Sequence, residues 1–160
     1  MTLCSLARRF AFSGLGVRLT ATLLLALGLG VAHAQSSPTE FPVIRLQAGM
    51  HVIQAEIGAT QDQRMRGLMF RKTLGPNQGM AFVFDDVAVH CMWMKNTLIP
   101  LSVAFMSEDG TIINIEDMKA QTEDSHCAAR PARYALEMNL GWFAKRGLKP
   151  GTRITGLPRG

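Results

Sequence analysis

Cysteine is scarce in this chain, three among 160 residues, and no two are spaced Cys-x-x-Cys. That spacing carries dithiol exchange, so its absence removes a thiol-exchange enzyme from consideration. There is no Gly-x-Ser-x-Gly nucleophile elbow. Tyrosine occurs once and aromatic residues make up 7% of the chain. With no basic stripe beside them, nucleic acid is not an expected partner. No uncharged apolar run reaches the ~20 residues that a membrane-spanning helix needs. There is also no Gly/Ser-rich linker, low-complexity run or internal repeat, and the length suits one ordinary domain with its own core.

What is present begins with an export-like leader. Arg8, Arg9 and Arg18 form a basic lead, Leu19 to Ala32 is a leucine-rich run without charge, and Ala32-His33-Ala34 has the small-x-small form of a secretory cleavage site. The reading is a signal peptide over 1–34, a polar and disordered lead over 35–40, and one globular domain over 41–160. A periplasmic or secreted location follows, with no stable membrane insertion once the leader is removed. The whole chain has 17 Lys+Arg against 12 Asp+Glu, and residues 1–34 hold three arginines and no acid. The remainder is therefore close to neutral, at 14 against 12.

Two cysteines, Cys91 and Cys127, lie beyond the leader. An even pair in an exported domain is expected to form a disulfide.

The pattern along the domain alternates short strands with turns. Val43–Leu46 and His51–Ile57 read as a hairpin. Thr60-x-x-Gln63 is a capping-box signature opening a helix of about ten residues that ends near Phe70. Met80–Phe84 reads as a buried strand ended by Asp85-Asp86. Strands around 89–94 and 101–106 flank a polar turn. Ser107–Gly110 turns into a strand over 111–117. Tyr134, Leu136 and Met138 share one face of a later strand, which places Glu137 on the polar face, as a surface residue or a partner for Arg133. Trp142–Arg146 is a second short helix capped by Gly147, and 153–155 is a last strand. The expected class is α+β: a small, β-rich, barrel-like domain of about seven or eight short strands with two short helices.

Three blocks stand out: Arg66-Gly67-Leu68-Met69-Phe70-Arg71, Gly79-Met80-Ala81-Phe82-Val83-Phe84, and Trp93-Met94-Lys95-Asn96-Thr97-Leu98-Ile99-Pro100-Leu101. Together they resemble the family known as domain of unknown function 192, whose members are small, often exported bacterial and archaeal proteins. The resemblance covers roughly residues 50–157 and implies a compact β-rich fold without an established reaction. The family commonly carries an aspartate two residues after the proline, where this chain has Ser102, so a carboxylate acting there in relatives is missing here.

The chemistry-bearing stretch is His90 to Pro100. Lys95, Asn96 and Thr97 bring an ammonium, an amide and a hydroxyl into one turn, and Trp93 adds an apolar wall. Arg66 and Arg71 flank the helix end and offer forks for a carboxylate or phosphate. These six residues form the candidate binding site, for a small polar ligand or an envelope protein. The opposing reading is that Asn96 and Thr97 serve their own turn backbone. A hydrolase or transferase using Lys95, Asn96 and Thr97 is the second reading, and no catalytic residue is assigned. The third is copper(I) handling, through Met92 and Met94 on a shared face. Met65, Met69, Met80, Met106 and Met138 read as core. His-Cys occurs at 90–91 and 126–127, but neighbouring strand residues face opposite ways. No zinc site and no cofactor are expected.

Overall fold

Strand order, rather than any helix, organises this molecule. The structure is a computed structural model that describes residues 41–159, all of them within one compact unit. The expected leader and lead, residues 1–40, lie outside the described residues.

Nine strands run in chain order: β1 (Val43–Ala48), β2 (His51–Gly58), β3 (Gln78–Ala88), β4 (Cys91–Met92), β5 (Leu101–Met106), β6 (Ile112–Met118), β7 (His126–Cys127), β8 (Ala132–Asn139) and β9 (Ile154–Thr155). Seven form one sheet in the order β6-β5-β8-β3-β2-β1-β9, and β4 pairs with β7 in a separate ribbon. Every pairing is antiparallel except β2 with β3. A parallel pair needs a crossover, and here it is made by α1 (Gln61–Arg66) and the loop that follows.

The sheet curls until its outer strands approach. Thr111 bridges Arg153, the Ile112 amide donates to the Thr152 carbonyl at 2.8 Å, and the Ile154 amide donates to the Gly110 carbonyl at 2.9 Å. This seam joins the β6 end to β9, which already pairs with β1. The β-rich, barrel-like reading holds. The helix content is lower than expected: one α-helix and one 3-10 turn, Ala144–Arg146.

Apolar side chains occupy both faces of the central strands. One cluster draws on all seven strands of the sheet, with Leu46, Ile53, Val83, Met106, Ile112, Leu136 and Ile154, and is sealed by Trp142 and Phe143. It fills the inside of the curl. A second, with Met80, Phe82, Val103, Phe105 and Ala135, lies on the outer face and is covered by Leu68 and Met94. Burial on both sides explains why all six residues of β5 are buried, the pattern of a strand with two covered faces rather than an alternating one.

Glu137 therefore sits at 3% exposure rather than on a polar surface. It shares the outer-face parity of Ala135, between Met80 of β3 and Val103 of β5. Burial alone pushes its carboxyl up to about 8. Arg133, the partner suggested by the sequence, donates instead to the Asp85 carbonyl. Asp85 and Asp86 do not end their strand. β3 continues to Ala88 through a register shift against β8.

The capping box at α1 is formed as expected: Thr60 Oγ1 accepts from the Gln63 amide, and the Gln63 side chain accepts from the Thr60 amide. The helix stops at Arg66, not near Phe70, because Gly67 takes φ 47°, ψ −138° and leaves helical space. Met65 consequently faces outward, 54% exposed, instead of entering the core.

Candidate functional site

The chain between β4 and β5 is held by backbone bonds to other segments. The Met94 amide donates to the Thr122 carbonyl at 3.0 Å, the Thr97 amide closes the turn on the Met94 carbonyl at 3.1 Å, and the Gln121 amide donates to the Thr97 carbonyl at 3.0 Å. On the other flank the Phe70 amide donates to the Asn96 carbonyl at 2.8 Å. The turn is thus tied to the helix end and to the 119–122 segment. Among its side chains, Thr97 bonds the turn's own backbone, through a long contact of its hydroxyl to the Lys95 carbonyl.

Beside this turn lies a groove of about 540 Å³, within the range of small-molecule sites. Phe82 and Phe84 lie along it, and Met65, Met69, Met92 and Trp93 add further apolar surface. Arg64, Arg66, Lys95, Asp85, Asp86 and His90 bring charge and polarity. Arg64 is already committed, to the Val83 carbonyl at 2.9 Å, the Ala59 carbonyl and the Asp85 carboxylate. Lys95 is more loosely held: its Nζ lies 3.8 Å from Glu123 and 5.3 Å from the Trp93 ring centre.

Four of the six sequence-derived site residues meet here: Arg66, Trp93, Lys95 and Thr97 all line the groove. Thr97 is 5% exposed, and its hydroxyl makes one long bond, 3.4 Å to the Lys95 carbonyl. Asn96 adopts positive φ, 56°, and sets its amide 4.0 Å from Met69 Sδ, without lining the groove. Arg71 pairs with Glu56 of β2, again away from the groove lining.

The copper pair expected from the sequence is divided. Met92 lines the groove, whereas Met94 is fully buried in the outer-face cluster, because β4 ends at Met92 and the chain then turns. His90 is a groove residue that the sequence reading left unassigned. It stacks on Phe84 with ring centres 3.7 Å apart. Its place in the His90-Cys91 pair gave no sign of that contact.

Cys91 and Cys127 are bonded, directly opposite one another in the β4–β7 ribbon. Neither thiol is free to serve as nucleophile or metal ligand. Among the described residues, no group of three or more His, Cys, Asp and Glu side chains is arranged to hold a metal.

Fold and groove together define a small, curled β-sheet domain with a cleft built by the helix end, the β4–β5 turn and the bulged half of β3. The DUF192 family profile, described as an uncharacterized ACR, matches residues 43–156. The chain belongs to this family. It is similar to a solved structure from Sinorhizobium meliloti described as a candidate transcription regulator, at 33% identity, covering 74% of this chain and 97% of that one, with a TM-score of 0.69. It is also similar to a protein of unknown function from Novosphingobium aromaticivorans, at 33% identity over 71% of this chain and 84% of that one, with a TM-score of 0.68. No curated protein matches.

Proposed function

We propose that this protein is an exported binding module whose groove, walled by Trp93, Lys95, Thr97 and Arg66, takes a small polar ligand with an anionic head. One observation carries the reading: the turn's backbone is bonded to other segments, while three of its side chains open on the same concavity. An anion suits the Arg66 and Lys95 side of the groove: with Arg64 balanced by Asp85, those two cations stand against Asp86 in the lining and Glu123, 3.8 Å from Lys95. Trp93, 37% exposed, gives the ligand's apolar part a ring to pack against. Thr97 offers a hydroxyl whose present bond is long enough to exchange for a better one.

Export accords with the disulfide, since such bonds persist in oxidising compartments. Among the described residues no helix is long and apolar enough to cross a membrane. An envelope protein presenting an acidic side chain is the macromolecular form of the same ligand chemistry.

The test is a titration of small carboxylates and phosphate monoesters, followed by Trp93 fluorescence and by amide shifts around residues 93–97. Saturable shifts that vanish in Lys95→Ala and weaken in Arg66→Ala are expected. Shifts that persist in both variants, or a panel with no binder and no perturbation of the turn, would remove the groove as the site.

A further inference from the structure

Five of the nine methionines among the described residues behave as core filler. Met80, Met94, Met106, Met118 and Met138 are at 0–1% exposure. Three others, Met65, Met69 and Met92, line one groove together, Met92 while also packing against the outer-face cluster. They arrive by different routes. Met65 is on α1, Met69 follows the Gly67 break, and Met92 ends β4. Isolated exposed methionines need no explanation, but here three thioether residues share the lining of one cavity.

His90 lines the same groove, and its bonding gives the second observation. Its Nε2 lies 3.2 Å from the Asp86 main-chain carbonyl and 3.5 Å from that residue's carboxylate. A carbonyl only accepts, so Nε2 is the donor in that contact, which leaves Nδ1 as the nitrogen open to a further partner. A ring nitrogen tied to a carbonyl or carboxylate, with the other left as a donor atom, is the arrangement that metal-ligating histidines adopt. Stacking on Phe84 fixes the ring plane further.

We infer that Met65, Met69, Met92 and His90 form a site for a soft monovalent cation, copper(I), at the methionine side of the groove. Thioether and imidazole donors select copper(I) over hard ions such as magnesium or calcium. Thioethers carry no proton to lose and stay available where thiols are oxidised, and both described cysteines are held in the disulfide. The Trp93 ring, on the same groove, presents an electron-rich face of the kind that attracts cations. The Asp86 carboxylate adds a negative charge next to the histidine. The inference uses the same cavity as the proposed anion site and shares Trp93 with it, but not Arg66, Lys95 or Thr97.

The experiment uses the purified protein with its disulfide confirmed intact by alkylation. Copper(I) held by ascorbate is offered anaerobically in competition with bicinchoninate. One copper per chain is expected, with affinity falling at least as far as the roughly 10–100-fold typical of losing even a supporting group in Met65→Leu, Met69→Leu, Met92→Leu and His90→Phe. Met50→Leu, at an 87% exposed residue outside the groove, should bind like the parent. Silver(I) added to methionine-methyl-labelled protein, with no substitution, should shift the Met65, Met69 and Met92 methyl signals together. Failure to retain copper, retention indifferent to these four residues, or uptake only after the disulfide is reduced would each overturn the site. The anion reading is judged separately, by the fragment titration in metal-free protein, so failure of one leaves the other standing.

Discussion

Ser102 donates its hydroxyl to the carboxylate of Asp117, the residue directly opposite it on β6, and accepts the Gly141 amide at 2.8 Å. The serine is 1% exposed. It links the β5–β6 pair to the turn after β8. Where the resemblance led us to expect an aspartate, this chain places a hydroxyl and keeps a carboxylate one strand away. Ser102→Ala removes both bonds and leaves the Gly141 amide without its acceptor. The expected cost is about 1–3 kcal/mol, read as a lower urea midpoint with unchanged slope. An unaltered midpoint would show that water replaces the hydroxyl at no loss.

Glu137 makes stability depend on pH. Its carboxyl is pushed from 4.5 up to about 8 by burial, so the folded chain holds a proton that the unfolded chain gives up. The fold is favoured fully below about pH 4.5 and loses stability steadily until about pH 8, where the loss levels off. The total is on the order of a few kcal/mol. Glu137→Gln keeps the shape without the ionisation. Its melting temperature should exceed the parent's above pH 8, with the difference closing by pH 4.5. Parallel curves for the two proteins across this range would contradict the account.

The disulfide closes a loop between residues 36 apart in sequence. On the chain-entropy estimate it contributes at most about 4 kcal/mol. Under denaturing, non-reducing alkylation the protein should show no label on Cys91 or Cys127. The Cys91→Ala/Cys127→Ala double variant should unfold at lower denaturant and lose protection first in β4, β7 and the 119–131 connection. Two labelled cysteines in the parent would mean that the ribbon is held by its backbone alone.

Gly110 sits at the seam with φ 84°, and a Cβ built there would lie 2.3 Å from the Ile154 carbonyl oxygen. Both the backbone angle and the space demand glycine. Gly110→Ala should cost about 3 kcal/mol or more. Amide exchange at Ile112 and Ile154 should accelerate ahead of that in β3 and β8. Uniform exchange across the sheet would show that closure at this corner is not a separate event.

Much of the framework was readable from residues alone. The capping box at Thr60 and Gln63, the tight turn at Ser107–Gly110, the left-handed Gly147 and the cysteine pair are local signals, and each forms as its chemistry requires. The misreadings have a common origin in contacts between distant segments. Glu137 looked solvated because alternate residues in β8 are apolar, yet Leu68 and Met94 cover the outer face from elsewhere in the chain. Met65 fitted a helical stripe, but Gly67 ends the helix before that stripe reaches the core. In the turn, Trp93, Lys95 and Thr97 reach the groove while Asn96, at positive φ, closes against Phe70. Spacing alone does not separate those outcomes. His90 stood out as part of a His-Cys pair, but its place in the groove was not legible, since that depends on Phe84 and Asp86 across the bulge in β3.

The way the seam is shut bears on biogenesis. Its hydrogen bonds come from residues 151–154 on one side and 110–112 on the other. A chain emerging from its N-terminal end has therefore made most of its strands while the β6 margin is still without its partner. During that interval the margin is an open template for pairing with neighbouring molecules. Shielding the margin during that interval, as a chaperone would, should raise the yield of native protein.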